Sequence, residues 1–253
     1  MQRIHNATQL TDLTPGDLAQ VYAYPENPSA PWVRANFVSS IDGAATSDGQ
    51  SEGLGTPADK AVFLMLRDLA DVVLVGAGTV RSENYGGART DAQLRRALHQ
   101  RGAGGHPDGA PPPIAVVTAS AAIDLGARLL TDTTVPPLII TTASAPADRK
   151  QQLADAGAQV IEAGDLAVTP KGLLRVLAER GLYRVLCEGG PHLFGELLAA
   201  DVVDELCLTI APILIGGTAR RISLSAHEFG LRMRRAQLLL DDDGTMLTRW
   251  VRR

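Results

Sequence analysis

Apolar positions along this chain of 253 residues fall into two rhythms. Short unbroken runs of strand-forming residues recur at 72–75, 114–117, 138–142, 184–187 and 204–211, as expected for strands buried on both faces. Between the later runs, the stretches 146–156, 170–180 and 191–200 repeat apolar residues at helical spacing. An alternating stretch from Trp32 to Ser39 predicts an earlier strand. Thr56-Pro57-Ala58-Asp59 reads as a helix start, with a hydroxyl cap, proline at the first helical position and an acid in the first turn. The apolar stripe Val62, Met65, Leu66 and Leu69 follows it. Strands alternating with helices predict an α/β domain over 31–253, with a mostly parallel central sheet and helices on both faces. Leu238 to Leu240 and Met246 to Val251 predict a closing C-terminal hairpin around Asp241 to Gly244. Residues 1–30, with a short helix near Asp17 to Tyr22, are expected to form an N-terminal extension packed on that domain. The stretch from Ser82 to Pro113, rich in Gly, Pro, Arg and His, is expected to be a long connection, partly mobile or covering the site.

Two of the strand runs end in glycine. Val185-Leu186-Cys187 passes through Glu188 into Gly189-Gly190-Pro191-His192-Leu193, and Val72 to Val75 passes into Gly76-Ala77-Gly78-Thr79. A strand, a glycine turn and a helix start present bare N–H groups and the positive end of a helix to an anion. Two such corners suggest a ligand with a diphosphate, as a dinucleotide has. The Rossmann fingerprint is absent, because Arg81 stands where a third glycine is needed. Gly76 and Gly78 therefore mark either a tight turn or a phosphate contact of another fold, and Thr79 either a cap or a phosphate ligand. Glu188, at the end of a buried strand, is costly unless paired, and reads as a ligand contact, a cap or an ion pair. Asp42, in Ser40-Ile41-Asp42-Gly43, stands at the end of a strand where α/β sheets place their sites, or simply in a turn. Arg67 is expected to project from its helix away from the core, beside Asp68. Arg67 and Arg89 would both suit a phosphorylated substrate. Thr118 and Ser120, hydroxyls with no acid beside them, suit a ribose 2′-phosphate and hence NADPH. His192 is either a ligand contact or helix surface.

Composition narrows the classes. A formal net charge of −4 leaves no electrostatic footprint for nucleic acid, and the arginines at 220–221 and 232–235 read as solvated surface or subunit contacts. Cys187 and Cys207 sit in apolar runs and read as small fillers in a reducing compartment. Histidines at 5, 99, 106, 192 and 227 fit no metal spacing. No secretory pattern and no window of roughly 20 apolar residues is found, so a cytoplasmic location without a membrane partner is expected.

Several segments together resemble the reductase domain of the bacterial riboflavin-pathway deaminase–reductase, a branch of the dihydrofolate-reductase-like fold. They are 33–43, Leu66-Arg67 with 70–81, 187–193, and Val203 to Leu206 leading to Ile210 to Gly217. The likeness runs in consistent order over about 32–252 and is nearest to stand-alone actinobacterial members without the deaminase half. It implies NADPH-dependent reduction of 5-amino-6-(5-phosphoribosylamino)uracil, with hydride delivered to the ribosyl C1′. It assigns cofactor contacts to Val38, Thr79, Glu83, Ser120 and the loop from Gly189 to Leu193, and substrate contacts to Ser51, Arg67, Arg89 and Glu188. Asp42 and Glu188 are the carboxylates expected nearest the chemistry. It also implies a homodimer paired through Leu206 to Gly217. The chain departs from the family pattern at Gly53, where tryptophan is common, at Glu83 and Tyr85, where Asp then Pro is common, and in lacking a lysine in the first strand. Two alternatives stay open: reduction of another acceptor such as dihydrofolate or another pterin, and a non-catalytic NADP-binding regulatory protein.

Overall fold

In the computed structural model, which describes residues 7–253, ten strands form one sheet in the order β1-β9-β10-β8-β2-β7-β3-β4-β5-β6. The strands are β1 (Thr8–Gln9), β2 (Trp32–Ser40), β3 (Val72–Gly76), β4 (Ile114–Val117), β5 (Leu138–Thr141), β6 (Gln159–Glu162), β7 (Arg184–Cys187), β8 (Glu205–Ala211), β9 (Met233–Leu240) and β10 (Met246–Arg252). Every pairing from β8 across to β6 is parallel, and β10 runs antiparallel to both β8 and β9. The mostly parallel sheet and closing hairpin expected of a dihydrofolate-reductase-like chain are both present. The chain steps outward from β3 to β6, then returns to insert β7 between β2 and β3. That reversal opens a crevice beyond the carboxyl ends of β2, β7 and β3, where sheets of this kind take ligands.

Helices cover both faces. The helices are α1 (Pro15–Val21), α2 (Pro57–Leu69), α3 (Ala77–Ser82), α4 (Ala92–Gln100), α5 (Arg128–Thr131), α6 (Ala147–Asp155), α7 (Pro170–Ala178) and α8 (Pro191–Ala199). One core layer joins Leu18, Val62, Leu66, Leu69, Val73 and Leu153, and the other joins Val72, Leu74, Leu177, Val185, Phe194 and Leu197. The alternation of Val72, Val73 and Leu74 between the two layers is the period-2 pattern of a strand buried on both sides. Helix α2 begins where the sequence places it: the Thr56 hydroxyl accepts from the Asp59 N–H at 3.2 Å. No helix among the described residues is long and apolar enough to cross a membrane.

Residues 1–6, with His5 and the start of the expected extension, lie outside the described residues. Beyond them, β1 pairs parallel with β9, and α1 starts with a capping box between Thr14 and Asp17. This segment is tied down by the buried Arg34 and by Arg249, which share the Glu205 carboxylate and donate to the carbonyls of Val21 and Ala23.

The stretch from Ser82 to Pro113, expected as a long connection, carries a helix of its own, and its first residues, from Ser82 to Gly87, line the ligand cleft. It contains α4, capped by Asp91, whose Arg95 is buried. The Arg95 guanidinium donates to the carbonyls of Arg67, Asp68 and Ala70 at 2.8–3.0 Å, closing the C-terminal end of α2. The helix was hidden in the sequence because a buried arginine stands in its inward stripe. Strand β6 also went unread: Gln159 and Glu162 frame only two apolar residues.

Candidate active site

The two glycine corners meet at the mouth of the crevice. The Gly76 N–H donates to the Gly189 carbonyl at 2.8 Å, and the Glu188 N–H to the Leu74 carbonyl at 2.9 Å, which locks the β7 corner against the β3 corner. Gly189 has φ of +103°, a conformation side chains rarely adopt, and a Cβ on Gly190 would lie 2.5 Å from Thr79 Oγ1. The sequence therefore needs both glycines here for close backbone approach. Helix α8 starts at this corner with Gly190 as its cap residue and no side chain capping its first N–H groups. These groups stay available to an anion.

Beyond the corners lies a cleft of about 1910 Å³. It holds every residue expected at the site except Asp42. Val38, Gly76, Gly78, Thr79, Ser120 and the run Gly189 to Leu193 line one part, and Ser51, Arg67, Glu83, Arg89 and Glu188 also face it. His192 is exposed on the cleft wall. Glu83 Oε1 accepts from the Ser51 N–H at 3.0 Å, so these two fasten one rim to the other.

Arg67 departs from the sequence reading. It does not project to the surface but lies buried at 8% exposure, Nε and Nη2 donating to Glu188 Oε1 and Oε2, both at 2.7 Å. Its guanidinium stands over the Phe63 ring at 4.2 Å, and the Tyr85 hydroxyl donates to Glu188 Oε2 at 2.6 Å. Burial works against the charge on Arg67, yet the Glu188 carboxylate holds its pKa above the ordinary value. Burial, with Glu188 beside it, also keeps the Tyr85 hydroxyl protonated. Arg67 thus orients Glu188 through Nε and Nη2, with Nη1 left outside that pair. A carboxylate has about four acceptor positions, so Glu188 keeps capacity for a ligand N–H.

Asp42, expected near the chemistry, lies outside the lining of the main cleft. Its oxygens take the N–H groups of Ile215 at 3.2 Å and Gly216 at 2.7 Å, and Ser40 Oγ at 2.5 Å. These bonds, the serine first, bring its pKa down to about 2. It borders a smaller neighbouring pocket and holds Ile215 and Gly216, which themselves wall the main cleft. Arg89 is exposed at the rim and pairs with Asp132, whose other oxygen takes Arg128 at 2.7 Å.

Sequence reading missed Asp59, which it took only as a first-turn acid. One face of α2 presents Asp59, Phe63 and Arg67 to the cleft in successive turns. Burial raises the Asp59 carboxyl above the usual range, while the hydroxyl of buried Thr209 on β8 draws it back. Among the described residues Asp59 joins no ion pair, and no group of three His, Cys, Asp or Glu side chains could hold a metal ion. The signal was the spacing Asp59, Phe63, Arg67, read without knowing which face met the cleft.

Comparison with known proteins supplies the family. A relative from Methanothermobacter thermautotrophicus, a 2,5-diamino-6-ribosylamino-4(3H)-pyrimidinone 5′-phosphate reductase, is 30% identical over 220 residues, covering 84% of this chain and 95% of its own. The RibD riboflavin biosynthesis protein of Bacillus amyloliquefaciens is 29% identical over 201 residues, 79% of this chain, and the match spans about half, 50%, of that longer protein. Among solved structures, a pyrimidine reductase-like protein from Corynebacterium diphtheriae is similar with a TM-score of 0.76 and 28% identity, covering 88% of this chain and 92% of its own. The family described as the RibD C-terminal domain matches residues 31–247, and the chain belongs to that family.

Proposed function

We propose that this protein is an NADPH-dependent reductase of a ribosylaminopyrimidine 5′-phosphate in riboflavin biosynthesis. The observation that carries the reading is the Gly76–Gly189 junction of two glycine corners beside the Arg67–Glu188–Tyr85 group, all in one cleft. Its volume exceeds that of an ordinary small-ligand site and leaves room for a dinucleotide and a second molecule.

The residues present fit the cofactor. The cradle at Gly190 is one that a Cβ would fill, and the uncapped start of α8 offers donors to a diphosphate. Thr118 and Ser120, at the end of β4, offer hydroxyls to a ribose 2′-phosphate. When bound, NADPH supplies the hydride that reaches the ribosyl C1′.

The chain's own part is alignment and exclusion of water. Arg67 and Tyr85 fix the Glu188 carboxylate, which accepts an N–H of the aminopyrimidine. Arg89 and Ser51 serve the substrate's phosphate at the rim, with Arg89 exchanging Asp132 for it. Val38 and the loop from Gly189 to Leu193 shape the nicotinamide side. Asp42 holds the 215–217 wall in place. Pairing into a homodimer through β8 and the following segment accords with the exposure of Ile213 and Leu214 there.

Calorimetric titration with NADPH and NADH, followed by steady-state assay with the ribosylaminopyrimidine phosphate, tests the reading. Tighter binding of NADPH and its substrate-dependent consumption are expected. Binding of neither dinucleotide would remove the reading.

A further inference from the structure

Among the carboxylates facing the cleft, Asp59 stands apart. Asp48, Glu52 and Glu196 are exposed to solvent, Glu188 is clamped by Arg67, and Glu83 holds the Ser51 N–H. Asp59 lies on the cleft face of α2, with Phe63 one turn along and the Thr209 hydroxyl of β8 as its hydrogen-bond neighbour. It is half-buried in the wall and, among the described residues, joins no ion pair. A carboxylate so placed gains most from two N–H donors set side by side, because it then accepts a two-pronged pair as it would from a guanidinium.

The two forms of the proposed substrate differ on the ring edge such a group would read. A 2-aminopyrimidin-4(3H)-one presents the ring N3–H and the exocyclic 2-amino N–H next to each other. The deaminated uracil presents N3–H between two carbonyl oxygens, and one of those would face a carboxylate oxygen. Resting on the reductase reading, the geometry points to Asp59, supported by Thr209, as the residue that selects the 2-amino-4-oxo ring over the uracil ring. The enzyme then acts before the hydrolytic deamination that converts the one ring into the other, and its product must pass to a deaminating step.

Burial that disfavours the charged carboxyl is offset when the ligand's two N–H groups replace the lost water, so the group is matched to this edge and not to a carbonyl. The Asp59→Asn change makes the inference sharp. An asparagine amide offers one acceptor and one donor, the complement of the uracil N3–H and carbonyl, and loses one of the two acceptors the amino form needs.

The test measures kcat/KM of the full chain with NADPH for 2,5-diamino-6-ribosylamino-4(3H)-pyrimidinone 5′-phosphate and for its deaminated uracil counterpart. The native protein is expected to prefer the diamino form by about 10- to 100-fold, the range of one charged hydrogen bond lost. Asp59→Asn is expected to invert or abolish that ratio, losing on the diamino form and gaining on the uracil. An equal preference in the native protein, or an equal loss on both substrates in the variant, overturns the inference. Calorimetric binding of the two compounds to the protein saturated with NADP+ reads the same edge without turnover. If neither compound is reduced but the binding preference and its inversion hold, the assignment of Asp59 stands and the reductase reading falls. If neither binds preferentially, the assignment falls.

Discussion

Arg67 and Glu188, 121 residues apart in the chain, meet as a buried two-pronged pair, with both N–O distances 2.7 Å. The pair bridges the last turn of α2 and the end of β7, and it sits directly beside the glycine corner at Gly189. It therefore couples the position of the Glu188 carboxylate to the backbone of that corner.

Glu188→Ala should leave a buried guanidinium with no counter-charge. A cost of about 3–5 kcal/mol is expected for breaking such a pair, visible as a clear fall in Tm, together with loss of most turnover. Glu188→Gln keeps the shape and part of the hydrogen bonding. It should retain the fold while lowering kcat/KM for the pyrimidine by an order of magnitude or more, about 1.5–3 kcal/mol for a charged bond. A Glu188→Gln protein with native kinetics would place Glu188 outside the chemistry.

Gly190→Ala places a Cβ 2.5 Å from Thr79 Oγ1. Dinucleotide affinity should drop at least tenfold, an energy of about 1.4 kcal/mol. Adding Thr79→Ala removes the obstructing oxygen and should restore thermal stability without restoring full affinity. Unchanged NADPH affinity in Gly190→Ala would move the cofactor away from this corner.

Asp68 gives a pH signature. Burial raises its carboxyl to about 6, against the hydrogen bond from the Asp91 N–H and the nearby Arg95. A carboxyl raised on folding adds stability that is complete below its unfolded pKa near 4 and is lost as pH rises through about 6. Asp68→Asn should therefore flatten the fall in stability between pH 4 and 6, seen in denaturant midpoints across that window. At pH 7.5 it should raise Tm by several degrees, since about 2–3 kcal/mol is at stake. An unchanged pH profile would mean that Asp68 titrates normally.

Asp42 accepts the N–H groups of Ile215 and Gly216, which wall the cleft. Asp42→Ala should raise KM for both ligands severalfold while leaving the rate of the chemical step, read in single turnover, near native. A hundredfold fall in that rate with unchanged KM would return Asp42 to the chemistry.

What was legible in the sequence is local. The Thr56 cap, the strand runs and both glycine corners depend on near neighbours, and each was found within a residue or so of its place. What escaped depends on distant partners. Arg67 read as surface because its helix stripe shows only which side is apolar, and the carboxylate that admits it to the interior lies on β7. Arg95 disguised α4 because its partners are the carbonyls ending α2, which carry no sequence signal. The Ile215 and Gly216 N–H groups that Asp42 accepts are also remote from it in the chain. The insertion of β7 between β2 and β3, which makes the crevice, is likewise a long-range fact.

The most direct measurement follows the hydride itself. With NADPH deuterated at the nicotinamide C4, the product of a single turnover with the ribosylaminopyrimidine phosphate is analysed by NMR. One deuterium at C1′ of the ribityl chain, formed in step with NADPH loss, is the predicted result. NADPH that binds the glycine corners yet is never consumed, or a label carried to any other carbon, would contradict the account.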